Sequence, residues 1–415
     1  MGNVKKCKCR FCGTELNKTF INLGMSPLAN SYIPMDRADE GQMTYPLHVY
    51  VCEKCFLVQL SEFESPNDIF SDYAYFSSYS TSWLKHARDY TDYMCQRFGF
   101  DSNSQVMEIA SNDGYLLQYF KEKKIPVLGI EPAKNVAKVA IEEKGVPTIS
   151  EFFGEACAKK LIAAGTKADL LLGNNVLAHV PDINDFISGM KLLLAENGVI
   201  TMEFPHLLQL MNQNQFDTIY HEHFSYLSFI TVKEVFAEHG LKMFDVQEWP
   251  THGGSLRIFA CHAENAKYPV TDNVAELEQR EIQAGFKDIA TYESFNEKAK
   301  QIKFALLKKL IELKEKGKTI AAYGAAAKGN TLLNYCGIGT ELIDYVVDMN
   351  PHKQNTLLPG SRIPVYAPEK MQETKPDYIL ILPWNLKEEI TKQLSYTKDW
   401  GAKFLVAIPQ VEVLE

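Results

Sequence analysis

Between Glu203-Phe-Pro-His206 and Tyr220-His221-Glu222-His223-Phe224-Ser225-Tyr226 the chain concentrates carboxylates, imidazoles and phenols. Imidazoles titrate near neutrality, so such a set can move protons. It follows a strand-like run, Gly198-Val-Ile-Thr-Met-Glu203. In an open α/β sheet, ligands sit beyond the carboxyl ends of strands. Any one of these side chains alone reads as a polar loop residue satisfied by its neighbours. The cluster together reads as catalytic.

Two glycine turns precede or follow that cluster. Glu108-Ile-Ala110-Ser-Asn112-Asp-Gly114 stands where a dinucleotide fold would carry G-x-G-x-x-G, but Ala110 and Asn112 replace glycines that let backbone approach a pyrophosphate. Glu131 ends the next strand at the distance expected of a carboxylate on ribose hydroxyls. A ribose carboxylate and a tight turn without the full glycine set suit an adenosine ligand that lacks phosphates, and S-adenosylmethionine fits. Phe152 is expected to wall the adenine, and Asn174 to hold the methionine portion. His179, at the same strand end, is expected to face the transferred methyl or its acceptor. The bland alternative, an ordinary strand-turn-helix, accounts for Gly114 but not for Glu131.

The second turn, Gly324-Ala-Ala-Ala-Lys328-Gly-Asn330-Thr331, carries a cation and opens a helix, which suits phosphate. Asp348 and Asn350 end the following strand and are expected to hold a ribose or base. The competing reading is a Rossmann-like domain kept only for architecture.

Two C-x-x-C pairs, Cys9/Cys12 and Cys52/Cys55, lie near the N-terminus. Each pair can offer two thiolates from a tight turn, and together they close a tetrahedral site with no open position. A structural Zn²⁺ is therefore expected. Cys7 is a rival of Cys9 that spacing disfavours.

The elements that must position these groups alternate strand and helix. Strand-like runs occur at 105–110, 127–131, 169–173, 198–203, 319–323, 342–348, 378–382 and 403–408. An antiparallel pair is expected at 243–248 and 255–260, and a charged helical stretch over 265–317. The fold class is α/β: a small zinc-binding module plus two doubly wound Rossmann-like domains. The expected divisions are 1–68, 69–264 and 265–415. The run Asp72 to Ser80 reads as a loop or lid, with Ser80 or Thr81 capping the helix behind it.

The 415 residues carry a formal net charge of −9, which argues against a nucleic-acid partner. No apolar run is long enough for a bilayer, no signal-peptide core opens the chain, and nine cysteines do not form a paired disulfide framework. A cytoplasmic location is expected. Oligomeric state is left open.

Six segments occur in order: the paired knuckles, Tyr-Ala-Tyr-Phe-Ser-Ser-Tyr-Ser, Glu-Ile-Ala-Ser-Asn-Asp-Gly, Tyr-His-Glu-His-Phe-Ser-Tyr-Leu-Ser, His-Gly-Gly-Ser-Leu-Arg and Tyr-Gly-Ala-Ala-Ala-Lys-Gly-Asn-Thr. With them the chain resembles, over its full length, the three-domain sugar C-methyltransferases that act on nucleotide-linked 4-keto-deoxysugars. The 3-C-methyltransferase of tetronitrose biosynthesis is one such enzyme. The resemblance implies a zinc domain, a central S-adenosylmethionine domain and a C-terminal domain holding the nucleotide diphosphate. It implies His223 as the base, with Tyr220 and Glu222 beside it, His179 as a further active-site histidine, and a tyrosine near the zinc domain reaching the sugar. Tyr75 is the best match, with Tyr73 and Tyr79 as rivals. His252, opening the His-Gly-Gly segment, is placed with the substrate. Rival functions are O- or N-methylation, a non-catalytic zinc-knuckle nucleotide binder, and a metal site on His221 and His223.

Overall fold

The computed structural model describes residues 7–62 and 77–414. Their contacts divide into two compact units. The first contains residues 7–16, 52–62, 77–206 and 224–287; the second contains 17–51, 207–223 and 288–414. Tyr73 and Tyr75 lie outside the described residues.

The first unit is organised by strands β1 (Val106–Ile109), β2 (Val127–Ile130), β3 (Thr148–Ile149), β4 (Ala168–Asn174), β5 (Leu194–Pro205), β6 (Leu241–Trp249) and β7 (Ser255–His262). Their spatial order is β6-β7-β5-β4-β1-β2-β3. The five strands β1 to β5 run parallel; β7 pairs antiparallel with β5 and β6 antiparallel with β7, the antiparallel pair that the sequence predicts at the end of the sheet. β1 is buried throughout and β4 is buried from Leu170 to Gly173, the pattern of strands covered on both faces.

Helix α1 (Thr81–Phe98) lies on this sheet. Ser80 caps it by accepting from the Trp83 N–H at 3.2 Å, and Gly99 ends it in the left-handed region. Its buried residues Ala87, Tyr90 and Met94 recur at three and four residues and pack into a core with Val106, Leu170, Leu172, Val199, Phe244 and Phe259. Each fully buried aliphatic side chain there stabilises the unit by about 1.5–3 kcal/mol.

The chain leaves β1 for β2 on one side and returns through β4 to the other. The β1/β4 boundary is therefore the topological switch point, where a crevice opens at the carboxyl ends.

The second unit repeats this logic. Strands β8 (Ile320–Tyr323), β9 (Tyr345–Val347), β10 (Thr356–Leu357), β11 (Pro364–Tyr366), β12 (Tyr378–Ile381), β13 (Lys403–Val406) and β14 (Glu412–Leu414) take the order β14-β13-β12-β8-β9-β11-β10. A two-residue strand, Ile33–Pro34, adds beyond β10. The switch point falls between β8 and β12. The predicted helical stretch includes Phe295–Glu315 (α2), and Ala327–Cys336 (α3) opens from the second glycine turn. A hairpin of Lys18–Ser26 with Tyr45–Val51 joins this unit, and Phe20 stacks on Phe295 at 4.9 Å. Among the described residues no helix is long and apolar enough to cross a membrane.

Candidate active site

The four predicted metal ligands converge in the first unit. The Sγ atoms of Cys9, Cys12, Cys52 and Cys55 all lie within 4.8 Å of one another, with Cys9–Cys55 and Cys12–Cys52 at 3.5 Å. A tetrahedron with Zn–S near 2.3 Å has edges of about 3.8 Å, so the cluster fits the ion. Each knuckle closes on itself: Gly13 N–H donates to the Cys9 carbonyl at 2.9 Å and Phe56 N–H to the Cys52 carbonyl at 3.0 Å. Both donors are left-handed, Gly13 at φ 73° and Phe56 at φ 58°. The second knuckle thus holds a bulky residue where the first uses glycine.

The thiols pull on one another in opposite directions. Hydrogen bonds from Cys52 and Cys55 lower the Cys9 thiol to about 3, while Cys52 and Cys9 push Cys55 far up. Four thiolates cannot coexist at this spacing without a cation. Cys7 is set apart, its Sγ 3.0 Å from the Ser61 hydroxyl. No comparable group forms on His221 and His223 among the described residues.

The first glycine turn sits at the β1/β4 switch point. Ala110 and Asn112, the residues in glycine's places, both adopt the left-handed backbone (φ 56° and 49°), as does Gly114 at 74°. The turn is held from below by Glu131, whose carboxylate accepts from Asn112 N–H and from Ala133 N–H, each at 2.9 Å. Burial raises the Glu131 carboxyl, and these two bonds oppose the rise. Each carboxylate oxygen keeps a further lone pair for a hydroxyl donor. Burial pushes Glu108 well up, and the neighbouring Glu131 and Asp113 charges add to it.

Several polar atoms in this crevice are buried with no partner among the described residues: both amide atoms of Asn174, the Ser111 hydroxyl and Asp113 Oδ1. A polar ligand would satisfy them, so the residues fit the methionine and ribose groups of S-adenosylmethionine. Phe152 is 46 % exposed beyond β3, whereas Phe153 turns inward against Phe186 at 5.4 Å. Replacing Glu131 by Gln sets an amide N–H₂ against backbone donors and removes the carboxylate expected to accept from the ribose. The expected result is a ten- to hundredfold weaker S-adenosylhomocysteine affinity by calorimetry; unchanged affinity would show that the ribose is held elsewhere.

The predicted lid reaches this turn through its last residues. Ser77 N–H donates to Asn112 Oδ1 at 2.8 Å and Ser78 N–H to Asp113 Oδ2 at 3.2 Å. His179 stands half-buried in a single turn after β4, its N–H on the Val176 carbonyl at 2.8 Å. His252 lies at the β6–β7 hairpin tip in a left-handed conformation (φ 56°), with its Nε2 3.0 Å from the Asn175 amide.

The second unit holds the Tyr220–His223 segment. His223 Nδ1 lies 2.9 Å from the Thr218 carbonyl, and its ring lies 4.1 Å from that of Tyr220. Glu222 is buried and accepts from Asn30 Nδ2 at 2.6 Å; burial raises its carboxyl. His221 is buried edge-on to Tyr45 at 5.9 Å, and burial lowers its pKa.

The residues leading into this segment are anchored on the second glycine turn. Trp384 Nε1 donates to Asp217 at 2.7 Å, and Thr331 Oγ1 donates to the Ile219 carbonyl at 2.9 Å. Burial lifts Asp217 to about 6, against the pull of Lys328. Lys328 is half-buried, donates to Asn385 Oδ1 at 2.7 Å and has its pKa lowered by burial. Asn330 Nδ2 donates to the Ala29 carbonyl at 2.7 Å. Asp348 accepts from the N–H groups of Ala325 (2.7 Å) and Asn350 (2.8 Å).

A cation that sequence reasoning missed, Lys353, donates to the Ala325 carbonyl at 2.7 Å, and burial lowers its pKa too, with Asp348 and Glu222 opposing. No motif marks it.

Comparisons with known proteins bear on this arrangement. Three family models match in series: a zinc binding domain over residues 9–70, a methyltransferase domain over 83–246 and a C-methyltransferase C-terminal domain over 250–409. The C-methyltransferase NovU of Streptomyces niveus is 35 % identical over 407 residues, covering 98 % of this chain and 96 % of NovU. The chain belongs to this C-methyltransferase family.

S-adenosylmethionine and zinc are accordingly cofactors of the methyltransferase, and the four cysteines fit the zinc. Likeness to solved structures is partial. The magnesium protoporphyrin IX methyltransferase of Synechocystis PCC 6803 is 12 % identical with a TM-score of 0.34, covering 43 % of this chain and 82 % of that one. The PH0226 protein of Pyrococcus horikoshii OT3 is 12 % identical with a TM-score of 0.37, covering 48 % and 99 %.

Proposed function

We propose that this methyltransferase acts on a nucleotide-linked 4-keto-deoxysugar and places the methyl on the carbon next to the ketone. An unactivated C–H is too weak an acid for any side chain; the ketone makes that carbon acidic by stabilising an enolate. S-adenosylmethionine, when bound, supplies an electrophilic methyl. His223 removes the proton, and Tyr220, Glu222 and His179 orient the base or donate to the enolate oxygen. Tyr75 is proposed to reach the sugar.

The supporting observation is the His223 Nδ1 to Thr218 carbonyl distance of 2.9 Å. A carbonyl only accepts, so Nδ1 carries the hydrogen and Nε2 carries the lone pair that a base needs.

Lys328 is proposed as the cation of a diphosphate cradle, joined by Lys353. Asn330, Thr331, Asp348 and Asn350 shape that cradle, and His252 is a proposed substrate residue of the first unit. Domain boundaries at 68/69 and 264/265 are part of the same proposal.

The test is incubation with S-adenosylmethionine and a panel of 4-keto nucleotide sugars, with products analysed by mass spectrometry and NMR. The expected product carries one new methyl on the carbon beside the ketone. A methyl on oxygen or nitrogen, or no product from any member, would overturn this reading.

A further inference from the structure

The first unit contains a buried carboxylate–imidazole pair, Glu203 with His86, that the proposed reaction does not use. Glu203, near the end of β5, is in register with Asn174 of β4 on one side and Arg257 of β7 on the other. It is 1 % exposed. The Arg257 guanidinium, also buried, donates through Nε to Glu203 Oε1 at 2.6 Å and lies over the rings of Tyr90 (4.7 Å) and Trp249 (4.5 Å). The other carboxylate oxygen, Oε2, faces His86 Nε2 of α1 at 2.8 Å. Burial alone would raise the Glu203 carboxyl; His86 and Arg257 outweigh it and hold the group ionised, below its usual range.

An ionised oxygen at that distance requires a hydrogen on His86 Nε2, so in the neutral ring Nδ1 is the acceptor. The ring is clamped in place. Trp83 stacks on it at 4.9 Å with 16° between planes, and Trp249 meets it edge-on at 5.2 Å. His86 Nδ1 has no partner among the described residues, and the side chain keeps 10 % exposure.

The location narrows what that nitrogen meets. Across the carboxyl ends, Glu131 follows β2, the first glycine turn follows β1, and the unsatisfied Asn174 amide is on β4. His86 stands over β5 and β7, on the far side of Asn174 from the adenosine end. Trp83 continues the wall, touching Tyr115 at 6.1 Å, beside the cofactor turn, and His252 at 5.4 Å. The methionine end carries the methyl to be transferred, so a ligand lying beyond that end along this edge would be the methyl acceptor.

We propose that His86 Nδ1 accepts a hydrogen bond from a hydroxyl or amino group of the methyl acceptor, which makes His86 a specificity-determining residue. Glu203 and Arg257 are its positioning residues. The inference rests on the acceptor class proposed above.

Two substitutions separate this role from a structural one. Gln at position 86 places an amide where Nε2 stood, keeping the Glu203 donor while losing the Nδ1 acceptor. Asn places its amide where Nδ1 stood, keeping an acceptor while losing the Glu203 contact. For the sugar that the wild type turns over, H86Q is expected to lower kcat/KM about ten- to hundredfold with S-adenosylhomocysteine affinity unchanged, and H86N to retain more activity than H86Q. H86Q matching the wild type, with H86N the impaired one, would show a purely structural histidine. Weakened S-adenosylhomocysteine binding in H86Q would reassign the nitrogen to the cofactor and also overturn the proposal. A wild type that methylates no panel member removes the acceptor class and defeats both readings.

Discussion

Replacing His223 by Asn is expected to reduce turnover by about 10²–10⁴-fold, the range contributed by a well-placed general base. S-adenosylhomocysteine affinity should not change. The asymmetry follows from where the groups sit in the chain. His223 belongs to the second unit, with its Nδ1 on the Thr218 carbonyl, whereas the first glycine turn and Glu131, proposed to hold the cofactor, belong to the first. Asn can still donate near Thr218 but offers no basic nitrogen at the Nε2 position. Steady-state turnover beside a calorimetric titration checks both halves. An H223N enzyme of normal kcat would remove His223 from the chemistry, and one that lost cofactor binding would show a folding defect instead.

The second large effect concerns stability. A structural Zn²⁺ contributes apparent binding free energies of about 10–16 kcal/mol in small zinc modules, whereas whole domains are stable by only about 5–15 kcal/mol. The ion at Cys9, Cys12, Cys52 and Cys55 therefore outweighs any other local interaction in the knuckles. Without it, four crowded thiols must share protons, and Cys9 and Cys55 are already driven in opposite directions. The purified protein is expected to hold one zinc per chain by elemental analysis. Cys52→Ser or a strong chelator should release it and lower the melting temperature. Cys157→Ser and Cys261→Ser, at buried cysteines outside the cluster, should leave zinc content intact. Full zinc retention in C52S would contradict the assignment.

Much of the architecture was legible because it rests on local signals. Parallel strands buried on both faces give short apolar runs, and helices announce themselves through caps such as Ser80 and stops such as Gly99. The knuckles were legible because C-x-x-C spacing is itself the chelate geometry. Glu131 was legible by its place at a strand end, and the structure adds a role the sequence did not show: its carboxylate braces the turn by accepting from Asn112 N–H and Ala133 N–H.

What escaped the sequence is pairing over long separations. His86 meets Glu203 across 117 residues, and Arg257 meets it across 54; Glu203 and Arg257 each lie in a segment the sequence singles out, but nothing local marks the three as partners. Lys353 reaches the glycine turn from a loop with no motif. Backbone conformation was also hidden. Ala110, Asn112 and Phe56 are left-handed, each with its N–H held by a partner, the Ile130 carbonyl, the Glu131 carboxylate and the Cys52 carbonyl, and residue type does not announce this for Ala110 or Phe56.

The account stands on carbon-acid chemistry driven by His223, and hydrogen exchange reads that step without methyl transfer. The enzyme is incubated in D₂O with the 4-keto nucleotide sugar and S-adenosylhomocysteine, and the proton beside the ketone is followed by NMR. The wild type is expected to wash deuterium into that single position, and H223N is expected to leave it protiated over the same period. No exchange by the wild type above the enzyme-free rate, or equal exchange by both proteins, would contradict the assignment.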